Sequence, residues 1–123
     1  MKMLLIDVYN NRVETVEANG LEDYYKYLEC NLVDIVYRTI GNIKVNIICD
    51  DEGTFVENPK PSAVDYLGEV ALVGNLLIAG GEVVNGELTS LAETEIEEIK
   101  WNLAEVTTKH YTEPYKIVTE LGY

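Results

Sequence analysis

The chain has 123 residues, and 47% of them are hydrophobic, which predicts one domain with a core of modest size. Its 22 acidic and 9 basic residues give a net charge of -13, which disfavours direct contact with nucleic-acid phosphates and favours basic protein surfaces. Two cysteines, and no apolar run near the roughly 20 residues of a membrane span, favour a cytoplasmic protein without a disulfide framework.

The first half of the chain predicts two β-hairpins. In each hairpin a turn signal separates two β-prone runs, with Asn10-Asn11 in the first and Gly41-Asn42 in the second. The predicted strands are 3–9 with 12–17, and 32–40 with 43–49.

A short helix is predicted between the two hairpins. Asn19 and Glu22 have the spacing of a capping box, in which each side chain bonds to the backbone N–H of the other residue. The helix would end at about Leu28 and would place Tyr24, Tyr27 and Leu28 on one face.

The middle of the chain predicts less regular structure. Two prolines indicate that residues 58–62 form a loop that cannot enter a central strand. Residues 70–78 are almost continuously apolar and predict one buried strand, with Gly74 at a bulge or a close contact. A small β excursion follows between two turn signals, Gly80-Gly81 and Asn85-Gly86.

The clearest helix begins at Ser90, which has Glu93 at capping-box spacing. An apolar stripe at helical spacing follows: Ile96, Ile99, Leu103 and Val106. Residues 115–119 form one more candidate strand. Together these elements predict a single domain, 1–123, of the α+β class: a mostly antiparallel β-sheet with one long helix in the C-terminal half and one short helix packed on it.

A series of short motifs resembles a known family: 33–38 (VDIVYR), Gly41, 46–53 (NIICDDEG), 58–60 (NPK), 62–63 (SA), 73–76 (VGNL) and 89–91 (TSL). Over about residues 20–105 their order is similar to the family called domain of unknown function 3846. Its members look like accessory proteins of phages and conjugative elements. The resemblance supplies no catalytic residues and leaves 107–123 as an extension. It implies a genomic setting in which small proteins often blunt host defence.

No group of residues indicates catalysis or a cofactor. The densest carboxylate run, Asp50-Asp51-Glu52 before Gly53, lacks the spaced ligands and distal glutamate of a calcium loop. His110 is the only histidine and has no zinc-site context, and the sequence has no nucleophile elbow. We therefore expect no metal, no cofactor and no enzymatic activity.

The acidic residues are concentrated in one part of the chain. Residues 1–49 carry 7 acids and 5 bases, whereas residues 50–105 carry 13 acids and 2 bases. Because carboxylates can replace phosphates in pairing with Arg, the leading hypothesis is a nucleic-acid mimic that binds and inhibits a basic host defence nucleoprotein, such as a Cas9-type effector. The residues expected to bind this partner are Asp50, Asp51, Glu52, Glu93, Glu95, Glu97 and Glu98.

Two other functions remain open. Nine tyrosines are compatible with a pocket that sequesters a nucleotide signal, with four candidate ligand-binding residues: Tyr24, Tyr27, Tyr37 and Arg38. The other possibility is a non-catalytic regulatory subunit that forms a homodimer through an open sheet edge.

Overall fold

A computed structural model of the chain describes residues 1–51, 61–65, 69–110, 119–120 and 122. For 61, 64, 104–110, 119 and 120 it describes the backbone alone. The elements in chain order are β1 Lys2–Asp7, β2 Arg12–Glu17, α1 Leu21–Leu28, β3 Val33–Ile40, β4 Ile43–Asp50, β5 Pro61–Val64, β6 Val70–Val73, β7 Leu76–Gly80, β8 Val83–Val84, β9 Glu87–Leu88, α2 Glu93–His110 and β10 Thr119–Glu120. The predicted α+β class is confirmed.

The main sheet has five strands in the order β2-β1-β7-β4-β3, and every neighbouring pair is antiparallel. Both predicted hairpins are confirmed, as β1–β2 and β3–β4. β7 comes from later in the chain and lies between the two hairpins, where it pairs with β1 and β4. The sheet therefore has β2 at one edge and β3 at the other.

The two helices cover opposite faces of this sheet. Side chains alternate between the faces of a strand, so Leu4 and Ile6 of β1 lie in one apolar cluster and Met3 and Leu5 lie in the other. α2 contributes Ile96, Ile99 and Leu103 to the first cluster, and α1 contributes Tyr24 and Leu28 to the second. The predicted faces of both helices are confirmed at these positions.

The sequence predicted one strand over residues 70–78, but the structure has two. β6 belongs to a small sheet of order β10-β5-β6, whereas β7 is a fully buried strand of the main sheet. Gly74 has φ 80°, in the left-handed region that favours glycine, and turns the chain between them. The next residue fixes the position of the turn, because Asn75 Oδ1 accepts a hydrogen bond from Val8 N–H at 3.0 Å.

The small β elements also correct one expectation. β5 begins at Pro61 and is the middle strand of its sheet, although residues 58–62 were expected to stay out of any central strand. Pro61 is the first residue of β5, a position that proline tolerates in a strand. The predicted excursion is confirmed as the β8–β9 hairpin, whose two turn residues have φ 52° and 79°: Asn85 and Gly86.

The start of α1 differs from the predicted capping box. The N-cap is Gly20, which makes no side-chain cap bond, and Asn19 N–H instead donates to Asp23 Oδ2 at 2.8 Å. The carboxylate that accepts a backbone N–H at the start of the helix is therefore Asp23, one residue later than the predicted Glu22. The N-cap is likewise one residue later, at Gly20 rather than Asn19.

Some predictions fall outside the described residues. These are Glu52, the side chain of Val106, and the part of the last candidate strand before Thr119. Among the described helices, none is long and apolar enough to cross a membrane.

Candidate partner-binding surface

The long helix α2 crosses the sheet near the end where β1 starts and the β3–β4 turn lies. Ser90 Oγ, just before the helix, accepts Lys2 N–H at 2.9 Å, and Lys2 also pairs with Glu93. Further along, Glu98 Oε1 accepts Asn42 N–H at 3.4 Å. The helix thus spans from β1 to the β3–β4 hairpin, and its buried stripe faces the sheet.

The predicted capping box at Ser90 and Glu93 is wrong. Ser90 uses its hydroxyl for Lys2, and the helix begins only at Glu93. Glu95 supplies the bond that closes the first turn, because its Oε1 accepts Ala92 N–H at 2.9 Å. The sequence pattern could not show that a strand 88 residues away competes for Ser90.

The four α2 carboxylates therefore differ in what they do. The hydrogen bond and charge of Lys2 lower the pKa of Glu93, and the same contacts raise the pKa of Lys2. Glu95 caps the helix, and Glu98 contacts the β3–β4 turn. Within the described ranges, Glu97 makes no hydrogen bond or ion pair and is exposed.

Trp101 is the most exposed large hydrophobic residue of the described part, at 76%. It lies five residues after Ile96 and two before Leu103, roughly 140–160° around the helix from the buried stripe. Glu97 and Glu98 precede it by four and three residues, so they are its neighbours on the helix surface. We call Glu97, Glu98 and Trp101 the helix surface.

Sequence reasoning missed Trp101, although the signal was present. The same 3.6-residue period that identified the buried stripe places this residue on the opposite side. A tryptophan on the solvent side of an amphipathic helix is a candidate contact residue, because Trp is enriched among the residues that dominate protein interfaces.

Asp50 and Asp51 lie far from this surface. Asp50 is the last residue of β4, and Asp51 N–H donates to Leu32 O at 3.0 Å, just before β3. Eight residues of β4, about 26 Å, separate this end of the hairpin from the β3–β4 turn that Glu98 contacts. The predicted site is therefore divided between two ends of the sheet, and Glu52 lies outside the described residues.

The carboxylates near Asp50 surround a buried thiol. Burial first, and then Asp34, Asp51 and Asp50, raise the pKa of Cys49 to about 11. Burial and Asp50 likewise raise the pKa of Cys30. Neither cysteine forms a disulfide, and neither environment favours the reactive thiolate.

Of the four candidates for a ligand pocket, the three tyrosines lie on the α1 side of the sheet and Arg38 lies on the opposite side. Tyr24 is buried in the core, and burial followed by Asp23 raises the pKa of its hydroxyl. Tyr37 and Arg38 are neighbours on β3, so their side chains leave opposite faces of the sheet. Tyr27 packs against the α1 cluster. In the described part of the chain, no group of three or more His, Cys, Asp or Glu is placed to hold a metal.

Comparison with known proteins gives one match. Residues 1–104 match the model of a family described as Domain of unknown function (DUF3846). No curated protein and no solved structure matches the chain. The match starts at residue 1 rather than at about 20, so it includes the β1–β2 hairpin, and it ends inside α2 just after Trp101.

Proposed function

We propose that this chain, which belongs to the DUF3846 family, is a non-catalytic inhibitor that binds a basic surface of a nucleic-acid-handling host defence protein. A Cas9-type effector is the candidate partner. Its channels bind phosphates through Lys and Arg, and carboxylates can occupy the same positions. The chain would act as an accessory protein of a phage or conjugative element inside the host cell.

The observation that carries this proposal is the exposure of Trp101 between carboxylates. Because the Trp101 ring is 76% exposed, most of its apolar area is still in contact with water. A partner that covers the ring therefore gains the free energy of burying that area. An Arg side chain can stack on the indole while its guanidinium pairs with Glu97 or Glu98. The helix surface thus offers a basic partner an aromatic contact and charge pairing within one helical turn.

The acidic residues outside the helix surface would speed association with the partner rather than contact it directly. A net charge of -13 attracts a basic groove over distance and speeds association at low salt. Because Asp50 and Asp51 lie at the far end of the sheet, we assign them to this long-range effect. Glu93 and Glu95 have bonds within the fold and lie outside the helix surface, so we assign them to the stability of the fold.

A binding experiment with matched variants tests the proposal. The partner is a purified Cas9-type effector with guide RNA, and the variant is the double charge reversal Glu97→Lys/Glu98→Lys. The control is Glu82→Lys/Glu87→Lys, which reverses two exposed carboxylates beside the β8–β9 hairpin. We expect the helix variant to abolish measurable binding at 150 mM salt, where surface charges interact over about 8 Å, and the control to weaken it only modestly.

Salt and substrate competition separate this mechanism from others. Affinity should fall steeply with rising salt, and bound inhibitor should exclude target DNA from the effector. If both double variants lost affinity equally, the binding would reflect net charge alone and not the helix surface. Full affinity of the Glu97→Lys/Glu98→Lys protein would remove the helix surface from the proposal.

A further inference from the structure

The outer edge of β3 is one of the two edges of the main sheet. Within the described residues, only Gly122 pairs with it: Thr39 N–H donates to Gly122 O, and Gly122 N–H donates to Thr39 O, both at 2.8 Å. Outward-pointing backbone groups recur at every second residue of an edge strand. The backbone groups of Val33, Ile35 and Tyr37 therefore also point away from β4.

Two of these outward groups are held by neighbouring side chains of β3 itself. Ile35 N–H donates to Asp34 Oδ1 at 2.9 Å, and Arg38 Nη1 donates to Tyr37 O at 2.8 Å. Both bonds are exposed and join adjacent residues, so another strand can replace them without disturbing the core. Charged side chains at an edge oppose indiscriminate pairing, so a partner strand has to displace both bonds.

The side chains next to this edge leave an apolar patch uncovered. Ile35 and Tyr37 pair across β4 with Ile48 and Asn46, which places them on the α1 face of the sheet. They are 45% and 52% exposed, and Leu32 beside them is 50% exposed. α1 packs on β4 and β7 and leaves these residues of β3 partly open.

We propose that a second copy of this chain covers the edge, with two β3 strands antiparallel around Ile35. Gly122 occupies the edge at Thr39, so the available stretch is 33–37, and Ile35 is its centre. In this register Val33 lies opposite Tyr37 of the second copy, and the two Ile35 residues lie opposite each other. The apolar patches of the two copies then form one continuous surface on the α1 side.

The charges on the other face of β3 favour a second copy over a basic peptide. Asp34 and Arg38 lie four residues apart on the same face, and antiparallel pairing around Ile35 brings Asp34 diagonal to Arg38 of the second copy. Each interface thus contains two such pairs of opposite charge and one pair of like charge, formed by the two Asp34 residues across the twofold axis. A basic partner would instead meet Arg38. β3 carries one acid and one base, so the strand itself adds no net charge to the repulsion between two molecules of charge -13.

A cysteine substitution tests the register directly. In a Cys30→Ser background, Ile35→Cys should give a disulfide-linked dimer under mild oxidation, because residues opposite each other at the twofold axis have Cα atoms about 5.5 Å apart. Tyr37→Cys is the matched control, with similar exposure but its own counterpart roughly 14 Å away along the strands. Crosslinking of neither variant, or of both equally, would overturn the proposal.

The unmodified chain provides an independent test by sedimentation equilibrium. We expect a mass that rises with concentration toward twice 13.8 kDa. Asp34→Arg should weaken the dimer about tenfold or more, and Asp34→Arg/Arg38→Asp should restore it. A monomer at every concentration, or a dimer indifferent to Asp34→Arg, would contradict the account. Glu97→Lys/Glu98→Lys should leave the mass unchanged, so failure here is distinguishable from failure of the proposed function.

Discussion

The helix surface and the outer edge of β3 are both exposed, but they offer opposite kinds of chemistry. Around Trp101 the acids outnumber the bases, with Glu97 and Glu98 on either side of the ring and Lys100 beside it. Along β3 the charges have both signs, Asp34 and Arg38, and the apolar residues repeat at strand spacing. A mainly acidic surface suits a basic partner, whereas a neutral surface with a repeating pattern suits a copy of itself. The net charge of the chain predicts neither arrangement.

The largest expected effect is on stability, and it distinguishes the buried side of α2 from its exposed side. Ile99 is fully buried, so Ile99→Ala should lower the free energy of unfolding by about 2–5 kcal/mol through lost contacts and a cavity. Trp101→Ala deletes a larger side chain, but one that lies in solvent. It should therefore change the free energy of unfolding by less than about 0.5 kcal/mol. Urea unfolding followed by circular dichroism measures both. A comparable loss in Trp101→Ala would mean that the ring packs on its own fold.

The next effect distinguishes a buried carboxylate from the surface ones. Burial alone raises the pKa of Asp7, but hydrogen bonds from Asn10 and Arg12 outweigh it, so the pKa of Asp7 lies below its usual value. The ionised form therefore stabilises the fold above the unfolded pKa, and this stabilisation is lost as pH falls through the folded pKa. Asp7→Asn should cost about 1–3 kcal/mol at neutral pH.

The control for this prediction is Asp51→Asn, which alters an exposed residue. Its unfolding free energy should follow that of the unaltered chain within about 0.5 kcal/mol at neutral pH. The difference between Asp7→Asn and the unaltered chain should shrink in acid, toward about pH 2. A difference that stayed constant with pH would show that the charge of Asp7 is not its cause.

A smaller effect tests the division of labour among the α2 carboxylates. Glu95→Ala removes the acceptor of Ala92 N–H and should destabilise the chain by about 0.5–1 kcal/mol, while leaving partner binding nearly intact. Glu97→Ala should weaken partner binding while leaving the free energy of unfolding nearly unchanged. If both variants lost stability equally, the helix surface would not be separate from the structural carboxylates.

The smallest effect concerns the interior beneath the β3 edge. The Cys49 thiol lies 3.7 Å from Asp34 O and has a pKa of about 11, so very little thiolate is present at neutral pH. In the folded chain, a disulfide reagent should modify half-buried Cys30 first and Cys49 only on unfolding. Rapid modification of both thiols would indicate that β3 separates readily from β4.

Much of the fold follows from local patterns. The alternation of strands around Gly41-Asn42 predicts the β3–β4 hairpin, and the 3.6-residue stripe predicts which side of α2 is buried. Errors arise where distant residues compete for a group. Lys2 N–H takes the hydroxyl of Ser90, so α2 begins later, where Glu95 accepts Ala92 N–H. Val8 N–H likewise bonds to Asn75, just after the end of β6.

The candidate site was only partly predictable for a related reason. A count of acids along the chain cannot tell that Asp50 and Glu98 lie at opposite ends of one hairpin, because that separation depends on the pairing of β3 with β4 and on the docking of α2. Trp101, in contrast, could have been found from the helical period alone. Composition identified the sign of the surface, and the fold divided it.

The most direct test of the central claim observes Trp101 itself. The chain has one tryptophan, so growth with 5-fluorotryptophan gives a single ¹⁹F resonance that reports on this side chain alone, even when the partner contains many. On titration with the guide-loaded effector, the account predicts that this resonance shifts and broadens and becomes protected from a soluble paramagnetic quencher. A complex that forms while Trp101 remains as accessible to the quencher as in the unbound chain would contradict it.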